Sequence, residues 1–103
     1  METQQRETFR DVINGEKPVL VDFFAGWCGP CKAMKPVLQE LHQTMGDKVR
    51  ILKLDVDKNP DTASAFGISG VPTLILFSKG QMVWRQSGMM GSAQLQQVIN
   101  SKI

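Results

Sequence analysis

The sequence predicts one α/β domain over residues 1–103, a mixed four-stranded sheet flanked by helices on both faces. Three observations predict it. Val19-Leu20-Val21-Asp22-Phe23-Phe24 is an almost unbroken apolar run of β-branched and aromatic residues, the pattern of a strand buried on both faces. Segments with a helical apolar stripe alternate with such runs, which implies strand-helix-strand units with parallel pairing and right-handed crossovers. Near the C-terminus two strand-like segments flank Lys79-Gly80, a hairpin that adds antiparallel strands.

Each element has its own local reason. Phe9, Val12 and Ile13 fall at i, i+3 and i+4 with Arg6, Arg10 and Asp11 off the stripe, a short amphipathic helix ended near Gly15. Pro18 restarts the chain into the buried strand, where Asp22 is the odd residue. Ala33, Met34, Val37, Leu38, Leu41 and Met45 draw one face of a longer helix, closed by Gly46-Asp47-Lys48. Pro36 inside it removes a backbone donor and is expected to kink it. Residues 49–56 read as a second strand with Lys53 in its middle, and Asn59-Pro60 as the cap and first-turn proline of a short helix stopping at Phe66-Gly67. Residues 73–77 and 81–86 are the hairpin strands. Ser92 is expected to cap a last helix with the stripe Leu95, Val98, Ile99 and the stem of Lys102. The order is αβαβαββα.

Composition narrows the function. Apolar residues are 42% of the chain, enough for a core. Net charge is only +2 with no basic block, which argues against nucleic-acid or membrane-surface binding. No apolar run reaches the roughly 20 residues that span a bilayer. Residues 1–7 are polar with mixed charge, unlike a signal peptide, and two cysteines are too few for a disulfide framework. The cytoplasm is the default address.

Both cysteines lie in Trp27-Cys28-Gly29-Pro30-Cys31-Lys32, where the buried strand gives way to a helix. Cysteines two residues apart read as a redox or a metal site. A zinc site needs about four nitrogen or sulfur ligands. Beyond the pair only His42, on the distal part of the same helix, offers one. A buried structural disulfide is the plain alternative. Gly29 allows close approach of a partner, and Pro30 suits an early helical position. Asp22 reads either as a proton acceptor with a pKa raised by burial or as half of a buried ion pair that sets strand register. Met89 and Met90 are surface or core-filling residues, and Trp84 a packed strand residue.

The chain resembles the thioredoxin family. Val21-Asp22-Phe23, the tryptophan-led cysteine stretch, Pro36, Lys53-Leu54-Asp55, Asp57 with Asn59-Pro60, Gly70-Val71-Pro72-Thr73, Gly80 and Gly88 occur in the family's order, from about Phe9 to the C-terminus. The resemblance implies the thioredoxin fold and a thiol-disulfide oxidoreductase that reduces disulfides in protein substrates. Cys28, at the start of a helix, would be the attacking thiolate, a behaviour for which thioredoxin is itself a standard example. Cys31, more shielded, would resolve the mixed disulfide and leave a Cys28–Cys31 disulfide. Asp22 would take the proton of Cys31, with Lys53 facing it. Pro72 would be cis and packed against the disulfide, leaving the Val71 backbone to pair with an extended substrate. Trp27, Gly29, Pro30, Val71, Gly88 and Met89 would form the substrate surface. The resemblance implies no bound cofactor and no metal, with reducing equivalents from NADPH through thioredoxin reductase.

The chain departs from the family in four places. Phe24 stands where a tryptophan is common, Met89-Met90 where smaller or aliphatic residues are frequent, and Trp84 at an often small position. The family's first strand has no counterpart ahead of Phe9, so residues 49–56 are expected on a sheet edge. Lys48, Arg50 and Lys53 on that edge should repel a second copy, which favours a monomer. Three other roles stay open on the same fold: a non-catalytic subunit or chaperone module, a disulfide-forming oxidant, and a metal-cluster scaffold bridging two chains. Gly29-Pro30 between the cysteines, where such oxidants usually carry histidine, argues against the oxidant.

Overall fold

The computed structural model describes residues 8–103. The elements are α1 (Phe9–Ile13), β1 (Val19–Phe24), α2 (Gly29–Met45), β2 (Arg50–Asp55), α3 (Pro60–Ala65), β3 (Thr73–Ser78), β4 (Gln81–Ser87) and α4 (Ser92–Lys102), with a short 3-10 turn at Gly46–Lys48. Among the described residues the strands form one mixed sheet in the order β2-β1-β3-β4. β1 runs parallel to β2 and antiparallel to β3, and β3 is antiparallel to β4.

β1 is interior, as its apolar run implies, and alternation sorts its side chains between two cores. Leu20 faces α2 and α4, among Met34, Leu38, Leu41, Leu74, Leu95 and Ile99. Val19, Val21 and Phe23 face α1, where Phe9, Phe66 and Phe77 stack edge-on at ring-centroid distances of 5.4–5.8 Å. Trp84 and Met90 pack on the first core, which settles them as filling residues. α1 begins at a capping box in which Thr8 and Asp11 satisfy each other's backbone amides at 3.1 and 3.2 Å. The β3–β4 turn holds Lys79 and Gly80 at φ 52° and 85°, the left-handed pair that a two-residue hairpin turn needs.

Three local expectations are corrected. Gly91, not Ser92, sits at the cap of α4, and Ser92 is the first helical residue, buried and accepting from Gln96 Nε2 at 3.2 Å. Asn59 precedes α3 but turns its amide back to the Asp55 carbonyl at 2.9 Å instead of capping the helix. The unit β2-α3-β3 does not end in a parallel strand. The chain re-enters the sheet from the end it left, and β3 comes out antiparallel to β1. α2 continues through Pro36 as one helix.

β2 lies at an edge of the sheet among the described residues, and the expectation for residues 1–7 lies outside them. The amides of Arg50 and Val56 bond to the carbonyls of Pro18 and Phe24, each at 2.8 Å, so by parallel alternation Ile51 and Lys53 turn their backbone groups outward. Hydrogen exchange should therefore be faster at the Ile51 and Lys53 amides than along Val19–Phe24. Uniformly strong protection across β2 in dilute solution would show the edge to be covered.

Candidate active site

β1 delivers the chain to a tight loop, and Cys28 becomes the N-cap of α2 in extended conformation. Its Sγ accepts from the Cys31 backbone N–H at 3.1 Å. That N–H, with the positive end of a 17-residue helix behind it, favours negative charge on the Cys28 sulfur. Cys28 and Cys31 are joined as a disulfide, their Cα atoms 5.3 Å apart. One expectation does not hold in this oxidised state: Cys31 is no better shielded than Cys28, at 5% and 4% exposure. What separates them is position, since Cys28 caps the helix and Cys31 lies inside its first turn.

Ala25, Phe24, Val56 and Val71 pack on the cysteines. The Val71 carbonyl lies 3.7 Å from Cys28 Sγ, and the Val71–Pro72 bond is cis. Gly88, at φ 95°, donates its N–H to the Pro72 carbonyl at 2.8 Å, which ties the segment after β4 to this loop. Thr73 Oγ1 donates to the Gly70 carbonyl at 2.6 Å and meets Ser87 Oγ at 3.0 Å. Gly29 and Pro30 are exposed at the start of α2, Met89 is half exposed, and Trp27 is 73% exposed. The structure thus places Val71 against the cysteines and Gly88 against the Pro72 carbonyl, with Met89 next to it on the surface.

Sequence reasoning assigned no role to Asp57. Its carboxylate accepts from Trp27 Nε1 at 3.0 Å, holding an otherwise exposed indole beside Cys28. Asp57 was among the positions carrying the family resemblance, but its partner lies 30 residues away and only the fold brings them together.

Asp22 shares the α2 face with Leu20 and is fully buried. Neither carboxylate oxygen has a hydrogen-bond partner among the described residues. Burial raises its pKa from an ordinary 3.8 to about 6, and the charge of Lys53 opposes the rise. Lys53 is the register partner of Asp22 on β2, yet its ammonium lies 5.0 Å above the centroid of the Phe24 ring and not against the carboxylate. The direct ion pair is therefore not formed. Among the described residues no three His, Cys, Asp or Glu side chains are placed to hold a metal ion.

A helix-capping cysteine pair beside a cis-proline loop, on a mixed sheet with helices on both faces, defines a thiol-disulfide oxidoreductase. The thioredoxin family model matches residues 1–101, and the chain belongs to the thioredoxin family. It is 52% identical over 88 residues to a thioredoxin of Alicyclobacillus acidocaldarius, covering 85% of this chain and 84% of that one. It is 46% identical over 88 residues to a thioredoxin of Bacillus subtilis, covering 85% of each. A bifunctional thioredoxin reductase/thioredoxin of Mycobacterium leprae matches at 46% over 95 residues, 92% of this chain and 21% of that one. The crystal structure of mitochondrial thioredoxin 3 from Saccharomyces cerevisiae superposes with a TM-score of 0.81 at 38% identity, covering 90% of this chain and 86% of that one. Dithiol-disulfide exchange at the cysteine pair is the activity of such a chain, and it needs no bound cofactor. No helix among the described residues is long and apolar enough to cross a membrane.

The pKa of Asp22 has a signed consequence for stability. The folded chain keeps this proton up to about pH 6, whereas an unfolded carboxyl releases it near 3.8. Stability is therefore fully present below about pH 4, falls as pH rises toward 6, and is flat above. Two units at 1.36 kcal/mol each make the loss about 3 kcal/mol. Asp22→Asn should remove that slope and unfold at higher denaturant concentration at pH 7. Urea unfolding of both proteins at pH 4, 5 and 7 measures it, and an identical pH dependence in the two would refute the assignment.

Proposed function

We propose that this protein reduces disulfides in protein substrates, with Cys28 as the nucleophile and Cys31 as the resolving thiol. In the dithiol state the Cys28 thiolate attacks one sulfur of the target disulfide and expels the other as a thiolate. Cys31 gives its proton to the Asp22 carboxylate, attacks Cys28 Sγ and releases the second target thiolate. Two electrons pass to the target, and the chain is left with its Cys28–Cys31 disulfide. Asp22 suits this task because a carboxylate with a pKa of about 6 is mostly ionised at pH 7 and still basic enough to accept. Lys53 moderates that pKa from above the Phe24 ring.

Trp27, Gly29, Pro30, Val71, Pro72, Gly88 and Met89 form the surface against which an extended target segment lies, with the Val71 backbone as its pairing edge. Thioredoxin reductase, drawing on NADPH, restores the dithiol. The fusion of the two activities in the Mycobacterium leprae relative supports this pairing. The protein acts in the cytoplasm as a monomer. The observation that carries the reading is the placement of Cys28 Sγ at the cap of α2, facing the Cys31 N–H and the Val71 carbonyl.

Insulin disulfide reduction with dithiothreitol as electron source tests it. The parent chain should precipitate the insulin B chain, and Cys28→Ser should reduce the rate to background. Activity surviving in Cys28→Ser would favour a non-catalytic role. Brief iodoacetamide treatment of the reduced protein near pH 7 should label Cys28 first, and Cys31→Ser should hold the target as a stable mixed disulfide. Predominant labelling of Cys31 would reverse the two roles.

A further inference from the structure

Val71, whose carbonyl lies 3.7 Å from Cys28 Sγ, belongs to the irregular stretch between α3 and β3. The carbonyls on either side of it are both held from the end of β4. Gly88 donates its N–H to the Pro72 carbonyl at 2.8 Å. The Gly70 carbonyl is held at one remove. It accepts from Thr73 Oγ1 at 2.6 Å, and Thr73 Oγ1 in turn meets Ser87 Oγ at 3.0 Å. Proton count fixes the direction of this chain. Thr73 has one hydroxyl proton and gives it to the Gly70 carbonyl, which can only accept, so Ser87 donates to Thr73.

Thr73 is a rigid point from which to hold a loop. It is fully buried, and it is paired with Phe23 of β1 on one side and with Ser87 of β4 on the other. Its β-branched side chain has little freedom at χ1. Ser87 is exposed, and its hydroxyl acts on the next bond in line. By donating to Thr73 it polarises the Thr73 O–H and strengthens the bond to Gly70. That bond does more than anchor a carbonyl. The Gly70 C=O and the Val71 N–H belong to one planar peptide group, so holding the first aims the second.

We propose that Ser87 is a positioning residue for target docking. Through the Thr73 hydroxyl it orients the Gly70–Val71 peptide group and so aims the Val71 N–H at the extended target segment. The proposal rests on the reductase reading and deepens its account of the target surface. It assigns Ser87 no contact with the target and no part in the exchange of disulfides.

Ser87→Ala removes only the hydroxyl, and Ser87→Thr keeps it. In steady-state reduction of insulin by the full chain, with dithiothreitol as electron source, Ser87→Ala should raise KM about fivefold at unchanged kcat, the scale of one neutral hydrogen bond. Ser87→Thr should restore the parent KM. The small aromatic disulfide dithiobis(nitrobenzoate) cannot lie along Val71 as a strand, and all three proteins should reduce it at the same rate. Thr73→Val removes the middle of the chain, so adding Ser87→Ala to it should raise KM no further. The Val71 amide resonance should move in Ser87→Ala and return in Ser87→Thr. An unchanged insulin KM in Ser87→Ala overturns the proposal. So do effects of the two substitutions that multiply in the double variant, since Ser87 would then meet the target itself. The Ser87 variants decide the matter alone if Thr73→Val does not fold. A parent chain that reduces neither substrate sinks the reductase reading. The Val71 resonance then still separates the two ideas: a shift in Ser87→Ala upholds the orientation of the peptide group, and a silent resonance overturns it.

Discussion

Register on both sides of β1 is the constraint on which the site depends. The parallel ladder to β2 pairs Asp22 with Lys53, and the antiparallel ladder to β3 pairs it with Leu74. A slip of one residue would send Asp22 into the aromatic core and bring Phe23 under α2. The ladders on its two sides make such a slip costly, and they hold a buried carboxylate with no hydrogen-bond partner among the described residues. They also fix where the chain leaves the sheet, and hence where α2 begins. The position of Cys28 at the helix cap follows from β1 before any feature of the cysteine loop is considered.

Two kinds of electrostatics then act at the C-terminal end of β1 and the start of α2. The start of α2 supplies fixed dipoles that favour charge on the Cys28 sulfur. The buried end of β1 disfavours charge on Asp22, and Lys53 tempers this only from a distance because its ammonium rests on the Phe24 ring. One group is thereby favoured as an anion while the other holds its proton to a higher pH than an ordinary carboxyl. Such a division between neighbouring titratable groups suits a reaction in two successive attacks.

Much of this was legible in the sequence, for physical reasons that differ by residue. The cysteine pair and its place at a strand-to-helix junction are local in the chain. Asp22 announced itself as the single charge in an apolar run, and its burial followed. The missing Asp22–Lys53 contact was not legible, because side-chain torsions decide whether Lys53 reaches the carboxylate or lies over Phe24. The direction of β3 was hidden because the connection between Asp55 and Thr73 is long enough to reach either end of the sheet, so strand-helix alternation alone does not fix it. The bond between Trp27 and Asp57 joins two loops separate in sequence, and only the packing of both against the ends of β1 and β2 makes it.

β4 carries neither cysteine and sits at the far side of the sheet from β2, yet it braces the loop that faces Cys28 from two directions. Arg85 donates to the carbonyls of Phe66 and Gly67 at the end of α3, the Gly67 contact at 3.0 Å. One end of the 66–72 segment is thereby held. Its other end is held through the Gly88 amide, just past β4, on the Pro72 carbonyl. The height of Val71 above the cysteines is thus set by a strand that takes no part in the chemistry. Changes along β4 would therefore shift Val71 relative to the cysteines while the dithiol itself stays as it is.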